Sequence, residues 1–258
     1  MPESTINMTR DDLRAGVAEY LQFTRTSSNW DASATAKIDA AFNSGVRQFY
    51  FTPLMPGQTV PHEWSFLKPE YRLPLISGTE NYDLPDNFMS IEDPITIESD
   101  SVYQHHLRLV SQERINVFRE GAISGGVPMF AAVKTRVPEG SSTPRYTLMV
   151  WPEPDTSYTL VFRYTLIPDL IAAGNPFALC GAMHSETLLA SCIAAAERMY
   201  VDGQNIKQAE YMRLLQTSIA RDQAMNAPRL YGTRSRKIGQ DNYEPRGLGP
   251  IRIQGVDF

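Results

Sequence analysis

The 258-residue chain is 42% hydrophobic and 21% charged, as is ordinary for a soluble globular protein, and its length allows a large core. Its net charge of −5 argues against a general nucleic-acid-coating protein. No apolar run approaches the ~20 residues that span a bilayer, and the N-terminus lacks the basic start and apolar run of a signal peptide, so no membrane partner is expected.

Two helices are predicted in the first segment, residues 1–56. Thr9 is a suitable N-cap for the first helix and Asp31 for the second, because their side-chain oxygens can accept a backbone N–H of the first turn. The apolar positions at helical spacing are Leu13, Val17, Tyr20 and Leu21 in the first helix, and Ile38, Ala41, Phe42, Gly45 and Phe49 in the second.

Residues 57–168 change character, with prolines and glycines between short β-rich runs. The clearest strands are 145–151 and 158–167, whose side chains alternate and which a proline-rich turn separates. Further strands are expected over 81–84, 89–97, 103–109 and 129–135, and a short helix over 111–120 with Ser111 as its N-cap. This pattern predicts a small antiparallel sandwich or barrel that carries one helix.

Two more helices are predicted within residues 169–227. Asn175-Pro176 predicts the start of a helix, and Gly203 predicts its end. Asn205 can cap the second helix, which Asn226 and Pro228 end. The apolar stripes expected to be buried are Leu179, Met183, Ile193 and Tyr200 in the first helix, and Tyr211, Leu214, Leu215 and Ile219 in the second.

These elements predict an α+β fold: a split helical bundle of N- and C-terminal helices, an inserted antiparallel β module, and an extended C-terminal arm over 228–258. The residues after Asn226 carry six basic and three acidic side chains, a net charge of +3 that leaves −8 on the body. A basic tail on an acidic body indicates partner binding. The expected binding residues are Arg229, Arg234, Arg236, Lys237, Ile251, Ile253 and Val256.

Chemical motifs are scarce. His105 and His106 point to opposite faces of a predicted strand, which excludes joint metal binding, and His184 is expected to be structural. Cys180 and Cys192 are expected to be buried free thiols. The sequence therefore predicts no enzyme, cofactor or metal site. Aromatic side chains such as Trp64, Phe66, Tyr71 and Tyr82 in the β module are of the type that stacks on sugars or bases.

Four passages, in this order, resemble the head-to-tail adaptor or tail tubular proteins of tailed phages, especially the podovirus-type phages. They are residues 30–49 beginning with Trp30-Asp31, the motif Tyr82-Asp83-Leu84-Pro85, the motif Trp151-Pro152-Glu153-Pro154 with the strand that follows, and the helix over 184–200. The resemblance covers nearly the whole chain.

This resemblance implies a structural virion protein with no catalytic motif. Two alternatives stay open: a carbohydrate- or receptor-binding phage structural protein that uses the aromatics of the β module, and, last, a hydrolase with an unrecognised site. Similar proteins form a twelve-subunit ring under the portal, engage the portal through C-terminal arms, and pass DNA through the lumen of the ring. The partners implied are therefore the portal protein, the tail nozzle protein and further copies of this chain, with DNA passing without sequence-specific binding. The implied location is the neck or tail of the virion, after assembly in the host cytoplasm.

Overall fold

The computed structural model describes residues 4–98, 106–121, 125–136, 145–201 and 205–226. Across these ranges the chain has a mixed α+β fold with five α-helices and a seven-stranded sheet. The helices are α1 (Arg10–Tyr20), α2 (Ala32–Tyr50), α3 (Gln112–Glu120), α4 (Gly181–Tyr200) and α5 (Ile206–Asn226). The described residues up to Met225 form one compact unit.

The predicted caps of the first three helices are confirmed. The Thr9 side chain accepts the backbone N–H of Asp12, and the Asp12 carboxylate accepts the N–H of Thr9, which together form a capping box. Asp31 caps α2 through the N–H of Ala34 at 2.6 Å, and Ser111 caps α3 in the same manner. The start of each helix is therefore set by a local side chain.

The strands run in the order β1-β7-β3-β4-β5-β6-β2 across the sheet. Their bounds are β1 (Glu70–Leu75), β2 (Asn81–Asp83), β3 (Phe88–Glu98), β4 (His106–Leu109), β5 (Phe130–Arg136), β6 (Arg145–Trp151) and β7 (Tyr158–Leu166). The apolar core lies on one face of the sheet, where Phe88, Leu148 and Leu160 are almost completely buried.

The prediction of a wholly antiparallel module is wrong at one pair, because β4 and β5 are parallel. Parallel neighbours need a crossover connection, and α3 lies in that crossover. Ile115 of α3 packs with Ala132 of β5 and Met149 of β6 in a small separate core. The predicted helix is therefore part of the sheet's connectivity.

Strand β1 was not predicted from the sequence. It contains Pro74, which interrupts a strand pattern, and it pairs only with β7 at one edge of the sheet. An edge strand tolerates proline because one side of its backbone needs no partner in the sheet. The tertiary position of β1 thus explains a strand that the local pattern does not reveal.

Helices α1, α2, α4 and α5 contribute to a single apolar core. The closest approach is between α2 and α4 at Gly45, where a Cβ atom would lie 2.3 Å from the Cα of Cys192. There Ser191 Oγ donates a 2.8 Å hydrogen bond to the Gly45 carbonyl. Glycine at this position lets the two helix backbones come into direct contact.

The prediction of which side of α4 is buried is wrong. Leu179, Met183 and Tyr200 are each more than 40% exposed, and Ile193 is only partly buried. The buried face instead carries mostly small and polar side chains, among them Thr187, Ser191, Cys192, Ala194, Ala195 and Ala196. Small side chains allow the close approach of α2, so steric fit decides which face is buried.

Helix α4 begins at Gly181, five residues later than the Asn175-Pro176 signal indicated. The Asn175 N–H donates to the Ala172 carbonyl, and the Pro176 carbonyl accepts the N–H of Arg10 at 2.7 Å. Tertiary pairing with the start of α1 therefore replaces the local helix signal. The Gly203 stop and His105 lie outside the described ranges, whereas Cys180 and Cys192 are buried free thiols, as expected.

The Gly45 contact gives a direct stability test. We expect Gly45→Ala to lower the free energy of unfolding by about 2–3 kcal/mol, because the new Cβ would meet backbone atoms of Cys192. Urea unfolding of the purified chain would measure the change.

The matched control is Gly16→Ala in α1, where the new Cβ would lie 2.7 Å from a flexible side-chain end, Leu189 Cδ1. That side chain can move and alanine favours the helix, so this variant should stay within about 1 kcal/mol of the parent. Equal losses in the two variants would contradict the close α2–α4 contact.

Candidate functional site

A groove runs along the outward side of α4, between α1 and α5. We call it the α4 groove, and two adjoining pockets of about 490 and 60 Å³, which share Leu189, Ile193 and Lys207, form it. Its remaining lining residues are Met8, Asp12, Gly16, Glu19, Tyr20, Arg25, Glu186, Ala190, Glu210 and Leu214. The floor is therefore apolar and the rim is charged, a combination found at protein interfaces.

The two walls of the groove are positioned by specific residues. Gly16 brings α1 against Leu189, since no side chain intervenes. On the other wall, the buried Glu197 of α4 accepts the backbone N–H groups of Lys207 at 2.9 Å and Gln208 at 3.2 Å. This carboxylate satisfies the first turn of α5 and favours its positive helix end.

The rim of the groove is acidic overall. Glu19 pairs with Arg25 at 2.6 Å, and Glu210 pairs with Lys207 at 2.8 Å. The Lys207 hydrogen bond lowers the pKa of Glu210. Hydrogen bonds from Thr9 lower the pKa of Asp12, which therefore stays ionised. The charge of Arg25 also lowers the pKa of Asp12, whereas the exposed Glu186 forms no ion pair in the described part of the chain.

A second polar site joins α5 to the loop that precedes β1. The nearly buried Asp222 of α5 lies 2.9 Å from His62 Nε2 and accepts the backbone N–H of Ser65 at 3.2 Å. The Ser65 hydroxyl also donates to its carboxylate. One carboxylate therefore satisfies several donors and fixes the last turns of α5 on this loop.

The arrangement around Asp222 differs from a hydrolase triad. In a triad the histidine bonds the serine and takes its proton, and the carboxylate orients the histidine. Here the carboxylate stands between His62 and Ser65 and bonds both. This order holds both side chains in place and gives the Ser65 hydroxyl a carboxylate partner where a triad has an imidazole.

His184 fills the space beside this site. Its ring centroid lies 5.2 Å from that of Trp64 and 5.8 Å from that of Phe66. Burial, above all, lowers the pKa of His184; nearby Arg221 and His62 act in the same direction, and Asp222 opposes them. The imidazole is therefore a neutral packing group at neutral pH.

The aromatic side chains suggested for sugar binding lie in the two cores. Trp64 is completely buried, stacks on Phe49 and donates its indole N–H to the Phe49 carbonyl at 2.9 Å. Tyr82 is also buried, and its hydroxyl bonds backbone groups of Ile76 and Thr79. These rings are occupied by internal packing, so they provide no sugar-stacking platform.

A pocket of about 250 Å³ lies next to His62, between the end of α2 and strand β7. Its rim carries the exposed apolar side chains of Phe51, Val60 and Met89. Thr52, at the same pocket, donates its hydroxyl to the His62 carbonyl at 2.8 Å. Its apolar rim suits contact with another apolar surface.

The binding residues predicted in the C-terminal arm all lie outside the described ranges. The α4 groove, in contrast, was not predicted. A signal for it was present in the sequence, since Ile193 and Tyr200 recur on one side of α4, but both residues were assigned to the core.

A family model described as SU10 adaptor protein matches residues 8–237 of the chain. A search of curated proteins gave no match to the chain. Within the described ranges, no group of three or more His, Cys, Asp or Glu side chains is placed to bind a metal ion. None of the described helices combines the length and apolar character needed to cross a membrane.

The Asp222 site predicts a strong structural effect. Asp222→Ala should lower the free energy of unfolding by about 2–3 kcal/mol, because His62 and Ser65 lose a charged acceptor in a buried position. Gln223→Ala, at the exposed neighbouring position, should change it by less than about 0.5 kcal/mol. Urea unfolding compares the two; equal effects would contradict the structural role of Asp222.

His184 predicts a pH effect. The unfolded imidazole titrates near 6.5, whereas burial lowers the folded pKa, so the unfolded chain binds more protons just below pH 6.5. Stability should therefore fall as the pH drops through this window, and less steeply in His184→Gln. Urea midpoints measured above and below pH 6.5 test this, and identical slopes in the two proteins would contradict it.

Proposed function

Since the chain belongs to the SU10 adaptor protein family of structural phage proteins, we propose that it is a podovirus-type adaptor that joins the portal to the tail nozzle. The observation that carries this proposal is the match over residues 8–237, which covers all the helices and strands of the described ranges. The ordered passages around Trp30, Tyr82 and Trp151 point to the same position in the virion. Assembly takes place in the host cytoplasm.

The proposed assembly is a ring, which the resemblance puts at twelve subunits, with DNA passing through its lumen. The charge of the chain supports this role. Residues 1–226 carry a net charge of −8, and a surface of this sign does not hold phosphates that must slide past it. DNA would therefore pass without sequence-specific binding.

Within the subunit, we propose a helical bundle split between residues 1–56 and 169–227, with the β module over 57–168 inserted between them. The shared core of α1, α2, α4 and α5 supports this division, because helices from both ends of the chain bury their side chains together. The sheet has its own core on one face.

The C-terminal arm, residues 228–258, is proposed to bind the portal. Ile251, Ile253 and Val256 alternate as in a strand that joins the edge of a partner's sheet, where backbone hydrogen bonds give affinity. The basic residues Arg229, Arg234, Arg236 and Lys237 would steer the arm to an acidic portal surface. The two groups of residues thus have different roles.

Deletion of residues 228–258 tests the arm. We expect the shortened chain to keep the circular dichroism and unfolding midpoint of the full chain but to lose binding to purified portals. Unchanged portal affinity would contradict the role of the arm and move the joining surface to the helices.

Two full-length variants separate the roles within the arm. Replacing the four basic residues by alanine should mainly slow association and reduce its salt dependence, whereas serine at Ile251, Ile253 and Val256 should speed dissociation. Tight binding to DNA, weakening with salt at a slope near −0.9 per phosphate, would instead indicate a DNA-binding arm.

A further inference from the structure

We propose that the exposed face of α2 in one copy packs into the α4 groove of the next copy. This inference rests on the proposed ring and specifies the lateral contact that builds it. The exposed face of α2 is defined by Ser33, Ala36, Lys37, Ala40 and Arg47. The contact therefore joins two different surfaces, the α2 face of one copy and the α4 groove of the next.

The two surfaces lie on opposite sides of the helical layer. Ser191 of α4 bonds Gly45 of α2, which fixes the sides on which these helices meet. At about 100° per residue, Ile193 lies nearly opposite Ser191 on α4, and Ala36 lies opposite Gly45 on α2. The groove therefore faces away from α2, and the exposed face of α2 points away from α4.

Shape favours this pairing. The groove is a concave channel whose floor is Leu189 and Ile193, and both side chains are only partly buried. The exposed face of α2 carries Ala36 and Ala40, whose small side chains allow another helix to approach closely. Helix packing in the groove would cover apolar surface that the single subunit leaves in water.

Charge favours it as well. Among the described residues, Lys37 and Arg47 form no ion pair, and both are exposed. The rim of the groove has a net negative charge, and its exposed Glu186 forms no ion pair among the described residues. Unpaired basic side chains on one surface and a net acidic rim on the other give electrostatic complementarity between copies, which sets orientation and register.

A head-to-tail contact of this type suits a ring, which forms when the rotation between copies closes. A contact between two different surfaces leaves a free groove on one end of each dimer and a free α2 face on the other. Further copies therefore add in the same orientation until the rotation closes. An isologous dimer would need one surface to pair with itself, and like charges on that surface would oppose it.

Cysteine cross-linking tests the contact in the full-length protein. The native thiols of Cys180 and Cys192 are buried, and burial raises the pKa of Cys180 to about 12, so both should be inert to maleimides. Ala40→Cys and Ile193→Cys place one reactive thiol on each proposed surface. A short bis-maleimide should link a mixture of the two variants, whereas each variant alone should give no dimer.

The double variant, which carries both cysteines in one chain, should give a ladder of cross-linked oligomers. The measurement is made on the concentrated chain and on the chain assembled on purified portals. The proposed contact would be overturned if either single variant formed cross-linked dimers by itself. It would also be overturned if the double variant formed no cross-link both in the concentrated chain and in the chain assembled on portals.

A charge exchange provides the second measurement. Lys37→Glu and Glu186→Lys should each weaken self-association by at least about tenfold, and the chain that carries both should recover it. Glu120→Lys, at an exposed position on α3, is the matched control and should have no effect. Failure of the double variant to recover would count against the pairing of these surfaces.

These results separate the contact from the function. Rings on portals that lack the α2–groove cross-link would overturn this contact and leave the adaptor function standing. Absence of any ring on portals from the parent chain would overturn both.

Discussion

The contact between α2 and α4 at Gly45 is the constraint on which the helical part of the molecule depends. Because the two backbones touch, α4 must turn its small residues toward α2, and Ser191 and Cys192 occupy the contact. The larger apolar residues of α4 are then left on its other side. Leu189 and Ile193 consequently form the floor of a groove.

Helix α5 is fixed by two buried carboxylates as well as by apolar packing. Glu197 of α4 accepts the backbone N–H groups at the start of α5, and Asp222 bonds the loop before β1 near its end. A buried charge is costly unless it is fully hydrogen-bonded, so each carboxylate strongly favours one position of the helix. That position places Lys207, Glu210 and Leu214 on one wall of the groove.

Local signals in the sequence predicted what local interactions decide. Thr9, Asp31 and Ser111 start their helices as their side chains indicate, and strand β6 was predicted over its full length. The errors arise where distant contacts decide: the parallel β4–β5 pair, the edge strand with Pro74, and the buried face of α4. The wrong assignment of the buried face of α4 also hid the groove, since apolar residues at helical spacing were assigned to the core. The predicted arm residues lie outside the described ranges, so they stay a prediction.

An adaptor works through surfaces that join it to its neighbours, and the distribution of polar groups agrees with such a role. The histidines His62 and His184 are held by a carboxylate or packed against rings, where they stabilise the fold. Incompletely buried apolar side chains line the α4 groove, whose rim carries the unpaired Glu186, and the opposite face of α2 carries the unpaired Lys37 and Arg47. Since the Gly45 contact sets the orientation of both helices, it also sets the angle between these two surfaces. In the proposed ring, that angle determines how many copies close the circle, so one glycine would link the packing of the subunit to the symmetry of the assembly.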